Sequence, residues 1–122
     1  MQTLIYVSLA VNIVVLVPIL VLMFIRSPLV DRAWGPFTEA RGILMAIYFA
    51  ILAASFALLF FPVAAFIVAL LSVQVVYKVT TPFTVGTIKN PVVISNLVIS
   101  VLHVATVVSI FSTMGNQFIA IG

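Results

Sequence analysis

Residues 42–79 carry one charged side chain, Lys78, and one helix breaker, Pro62, after the opening glycine. As a single α-helix this stretch would reach about 57 Å at 1.5 Å per residue, nearly twice the ~30 Å hydrocarbon core of a bilayer. No solvent accommodates a continuous apolar helix of that length, so the stretch is expected to fold back on itself. Phe60-Phe61-Pro62 marks the turn, because proline lacks the N–H that would continue the ladder. Two spans follow, 42–61 and 62–79. A third apolar run covers 3–25 and contains Pro18, which membrane helices tolerate. A fourth, 91–111, opens on Asn90 as N-cap with Pro91 in the first helical position. Gly115 closes it, and a short apolar tail runs to Gly122.

The expected fold class is therefore an all-α integral membrane protein, four transmembrane helices in an up-down antiparallel bundle, forming one domain over 1–122. Composition agrees with lipid as the solvent. Hydrophobic residues make up 66% and charged ones 6%, where a soluble domain carries about a quarter charged. The first run reads as a retained helix, since it lacks a basic leader and a small-residue cleavage pattern. With no cysteine, disulfides, thiolate metal sites and cysteine nucleophiles are excluded.

All five lysines and arginines flank two connections, 26–41 and 80–90. Arg26, Arg32 and Arg41 border the first, which also holds Asp31, Glu39 and Trp34; Lys78 and Lys89 border the other. With four spans these connections fall on the same side. The positive-inside rule then makes them cytoplasmic and puts both termini on the non-cytoplasmic side, as expected for a prokaryotic inner membrane. Arg26, Arg32, Trp34, Arg41, Lys78 and Lys89 read as interfacial anchors, with Lys78 snorkelling to the headgroups; the functional alternative for Lys78 is a headgroup or anionic-substrate contact. Thr38 is expected to cap the second span, with Glu39 in its first turn. Asp31 and Glu39 are expected to be neutralised by the neighbouring arginines. Five scattered cations do not form a phosphate-tracking stripe, so no nucleic acid is expected. The expected partners are the lipid bilayer and other membrane subunits or copies of the same chain.

Polar side chains at bilayer depth are costly, so they are the functional candidates. These are Ser8, Asn12, Ser55, Ser72, Gln74, Tyr77, Asn96, Ser100, His103 and Thr106. At 100° per residue, Asn96, Ser100 and His103 fall within about 60° of arc, with Thr106 beside them. Helical rise puts Asn12, Ser55 and His103 at about 18–20 Å from the basic end, and Gln74 and Asn96 at about 8–9 Å. Two buried hydrogen-bonded layers are predicted. His103, the single histidine, is the one candidate for a metal or haem ligand or a proton relay. The alternative is a neutral imidazole bonded to neighbouring Asn or Ser, and on that reading no metal and no cofactor is predicted.

Other chemistry is poorly supported. Thr84-Val85-Gly86 matches three residues of a potassium-channel filter, but the completing Tyr-Gly is absent. Small-multidrug-resistance transporters share the length and span count, but their first-span glutamate has no counterpart here. The expected function is a non-catalytic accessory or scaffold subunit of a membrane complex. A small homo-oligomeric transporter or channel is the alternative; it predicts a continuous polar cavity from Gln74 and Asn96 toward His103. A cofactor-binding subunit using His103 comes third.

Overall fold

The computed structural model describes residues 1–115 and is all-helical there. Helix α1 covers Gln2–Phe24, α2 Pro28–Trp34, α3 Glu39–Phe60, α4 Ala64–Val85 and α5 Pro91–Met114. All but α2 are long and apolar enough to cross a membrane. The tail expected after Gly115 lies outside the described residues.

Lipid is as apolar as a protein core, so hydrophobicity alone does not decide which face of such a helix turns inward. Polar residues decide it. The inward face of α5 consists of Val93, Asn96, Ile99, Ser100, His103, Thr106 and Ile110, at helical spacing and with polar groups in the majority. Phe24, Phe61 and Phe83 point outward. Two apolar clusters complete the core. One joins Ile5 and Leu9 of α1 to Leu58 of α3, Ile67 and Leu71 of α4 and Ile110 of α5. The other joins Leu16 and Met23 of α1 to Val30 of α2 and Tyr48 and Ile51 of α3.

The helix ends follow from local chemistry. Helix α1 closes in a Schellman pattern: Ser27 N donates to Leu22 O at 2.9 Å and Arg26 N to Met23 O at 3.1 Å. Arg26 takes the left-handed position (φ 55°) that glycine usually fills. Ser27 and Pro28 then start α2, with the Ser27 hydroxyl accepting from Leu29 N. Asn90 and Pro91 start α5 by the same device. The short α2 inside the 26–41 connection was not expected, although Ser27-Pro28 carries the same signal as Asn90-Pro91. The Thr38 hydroxyl caps α3 by accepting from Arg41 N at 3.2 Å.

Helix α4 corrects the sequence reading. It was expected to end at Val79, with 80–90 as loop, yet it continues to Val85 through Pro82. Pro82 has no N–H for Lys78 O, and the Thr81 hydroxyl donates to that carbonyl instead, at 2.7 Å. Thr80 likewise donates to Val76 O at 2.6 Å. Threonines that read as loop residues are holding helix carbonyls, a substitution that membrane helices use around proline. Gly86, left-handed at φ 83°, then ends α4.

Candidate functional site

A chain of side-chain hydrogen bonds crosses the bundle near the middle of α1 and α5. The Ser55 hydroxyl on α3 donates to Ile51 O one turn back (2.8 Å) and accepts from Asn12 Nδ2 on α1 (3.1 Å). Asn12 Oδ1 faces His103 Nε2 at 3.1 Å, and His103 Nδ1 faces Ser8 Oγ at 3.2 Å. Ser8 Oγ lies 2.6 Å from Thr106 Oγ1, which also reaches Leu102 O and Leu4 O. Two proton arrangements satisfy the series. In one, Thr106 donates to Ser8 in place of the carbonyls, Ser8 to Nδ1, Nε2–H to Asn12 Oδ1, and the Asn12 amide to Ser55. In the other, with amide and tautomer reversed, Thr106 donates to Leu102 O and Ser55 gives up Ile51 O to donate to Asn12. Ser8, Ser55, His103 and Thr106 have no exposed surface. Asn12, Ser55 and His103 thus share one layer, and Ser8 and Thr106 extend it. Since both ring nitrogens are engaged within the bundle, a ligand on His103 would have to displace Asn12 or Ser8.

The second expected layer does not form as a hydrogen-bonded unit. Gln74 Nε2 donates to Leu70 O on its own helix at 3.4 Å, and Gln74 Oε1 is buried without a partner. Asn96 Nδ2 reaches Thr81 Oγ1 at 3.4 Å, and Ser100 donates back to Asn96 O at 2.7 Å. These groups are served by nearby carbonyls and hydroxyls rather than by each other. Ser72 is half-buried on an apolar groove between α4 and α5.

The interfacial anchors divide into two sets. Arg26, Arg32 and Lys89 are exposed and Trp34 is half-buried. Arg41 and Lys78, expected among them, are buried instead. Arg41 is 4% exposed; its Nη1 pairs with Asp31 Oδ1 and donates to Gly35 O at 2.7 Å, while Nε and Nη2 have no partner. The α2 turn makes this pairing possible by folding Asp31 back toward the start of α3. Glu39, the other carboxylate, is exposed.

Lys78 is 6% exposed and lies seven residues before the end of α4, about 10 Å along the helix. Its side chain is enclosed among the helices rather than exposed at a helix end, because α4 continues for nearly two turns beyond it. Its side chain lines a cavity of about 250 Å³ where all five helices meet, together with Trp34, Tyr48, Tyr77, Ser95 and Asn96. The Lys78 ammonium lies 5.5 Å from the Tyr77 ring centroid. Trp34 Nε1 donates to Tyr48 Oη at 3.3 Å, and the two rings meet edge to face. On α5 the cavity lining stops at Ile99, one turn short of His103. Within one chain the lining thus includes Asn96 but neither Gln74 nor His103.

Residue-type reading did not single out Thr81, Tyr48 or Ser95, which complete the Lys78 surroundings. The usable signal was the Thr81-Pro82 pair, since a hydroxyl before proline can take over the carbonyl that proline leaves free. Among the described residues, no three His, Cys, Asp or Glu are grouped as a metal site would require. Fold and site together define a small helical bundle with four membrane-length helices, closed at mid-depth by a polar chain and opening into a lysine-bearing cleft. No protein-family model, curated protein sequence or solved structure matches the chain.

Proposed function

We propose that this chain is a non-catalytic membrane subunit, an accessory or scaffold component of a larger membrane complex. The observation that carries this reading is the fate of the mid-depth polar groups. Ser8, Asn12, Ser55, His103 and Thr106 bond one another across α1, α3 and α5, which uses them to hold helices together. A transport path would leave such groups facing a cavity, and the cavity lining stops short of them.

The bundle is proposed to run up-down and antiparallel, with 26–41 and the α4–α5 connection in the cytoplasm of a prokaryote and both termini outside. Support comes from Asn90 Nδ2, which donates to Ala33 O at 2.9 Å. That bond joins the two basic connections at one end of the bundle, as the positive-inside rule requires.

Native mass spectrometry of the gently extracted protein tests the assignment. Co-migration with other polypeptides above multiples of 13.2 kDa is the expected result. A bare monomer would overturn it, and multiples of 13.2 kDa alone would favour the homo-oligomeric transporter or channel. The natural sequence lacks cysteine, so single cysteines at Arg32, Phe61 and Lys89 test orientation. An impermeant thiol reagent applied from outside should label position 61 alone.

A further inference from the structure

We propose that the cleft around Lys78 binds the charged end of an amphipathic anion, a carboxylate or phosphate carried on an apolar body. The charge of Lys78 is unbalanced. Lys78 is more than nine-tenths buried, and no carboxylate lines its cavity. Of the two carboxylates, Asp31 is paired with Arg41 and Glu39 is exposed. Among the described residues the one contact given for the ammonium is the Tyr77 ring face at 5.5 Å. A buried cation with no counter-ion and a cavity in front of it is a site prepared for an anion.

The rest of the lining sets the ligand class. Asn96 and Ser95 add polar groups beside the lysine, while Trp34, Tyr48 and Tyr77 supply flat amphipathic surface. A few polar groups set in an apolar, aromatic wall recognise a ligand with one charged end and a hydrophobic remainder. The volume of about 250 Å³ suits a headgroup or a short acid rather than a whole diacyl lipid, whose chains would stay in the bilayer. The cleft lies at the end of the bundle where the basic connections meet through Asn90 and Ala33. The exposed Arg32 and Lys89 there would draw anions toward it. This inference is independent of the scaffold assignment.

The test uses Trp34, the sole tryptophan, which lines the cleft and reports its occupancy. Full-length protein is placed in phosphatidylcholine nanodiscs. One arm adds chain-brominated phosphatidylglycerol or, in parallel, chain-brominated phosphatidylcholine, and follows quenching. The other adds dodecanoate or dodecanol from water and follows the emission shift. The expected preference for the anionic member of a pair is at least about five-fold, the scale of one charge-assisted contact. Lys78→Gln should abolish it, and Arg26→Gln, which removes a charge that does not line the cleft, should keep it. Response in the lipid arm alone identifies a headgroup as occupant, and response in the dodecanoate arm alone identifies a soluble amphiphile; either supports the site. Equal response to charged and uncharged members in the unmodified protein overturns the proposal, as does a preference that survives Lys78→Gln. Lys78→Met serves as the second neutral variant if the glutamine form does not fold, and far-UV circular dichroism checks both.

Discussion

Replacing Asn12 by leucine removes the central link of the mid-depth chain at nearly constant volume. Asn12 makes two interhelical bonds, one to His103 on α5 and one to Ser55 on α3, each at 3.1 Å. Such bonds in membranes average about 0.6 kcal/mol, with an upper value of about 1.7. The two together predict a loss of about 1–3 kcal/mol. Most of it should come from the His103 side. Ser55 keeps its bond to Ile51 O, whereas the ring keeps only Ser8 and is left with one nitrogen unpaired in a site without exposed surface. The double variant Asn12→Leu/His103→Leu leaves no orphan between them, so it should cost less than the sum of the two single changes by about 0.6–1.7 kcal/mol. Trp34 fluorescence during SDS titration in mixed micelles provides the unfolding signal. Additivity within about 0.3 kcal/mol, or a neutral Asn12→Leu, would refute the view that these groups act as a clasp.

Thr81→Val should leave Lys78 O without a donor and cost about 1–2 kcal/mol, seen as faster amide exchange in the last turn of α4. In a Pro82→Ala background, where an N–H is restored for Lys78 O, the same change should cost less, leaving the loss of the long Asn96 contact. Asp31→Asn removes the counter-charge of a guanidinium that already has two unpartnered nitrogens. Because Asp31 is half-exposed, the expected loss is about 1–3 kcal/mol by SDS titration, below that of a fully buried pair. Arg26→Gly should relieve about 1 kcal/mol of left-handed strain, offset by loss of the guanidinium stacked 3.9 Å over Phe37. In a Phe37→Leu background the gain should appear in full, and its absence would show that the backbone there is unstrained.

The four spans were legible because lipid imposes length and apolarity on every crossing segment, and those are local properties of the chain. The turn near Pro62 fell within two residues of its expected place, since α3 ends at Phe60 and α4 begins at Ala64. The errors arose where one residue type serves two environments. Thr80, Thr81 and Pro82 read as loop by turn chemistry, yet in a dry setting a threonine hydroxyl is a ready partner for a free helix carbonyl. The stretch 26–41 was read as a connection alone, although Ser27-Pro28 both follows the end of α1 and begins α2.

The mid-depth layer was legible for a related reason. Helical rise alone brings Asn12, Ser55 and His103 to one level, and the Asn12 amide and the His103 ring find their partners in side chains of neighbouring helices. The layer nearer the basic end was not legible, because its groups have alternatives. Gln74 reaches a carbonyl of its own helix, Leu70 O, and Asn96 reaches the Thr81 hydroxyl that the α4 extension supplies, so depth no longer dictates pairing. The same extension explains Lys78. A lysine at the last residue of a span reaches water along its own stem, and the expected end at Val79 made that the natural reading. Continuing α4 to Val85 places helix beyond Lys78 and encloses its side chain in the bundle. One hydroxyl beside one proline therefore decides whether Lys78 ends a helix or lines a cleft. Weakening the last turn of α4 with Thr81→Val should accordingly reduce anion preference at Trp34 while leaving Lys78 itself in place.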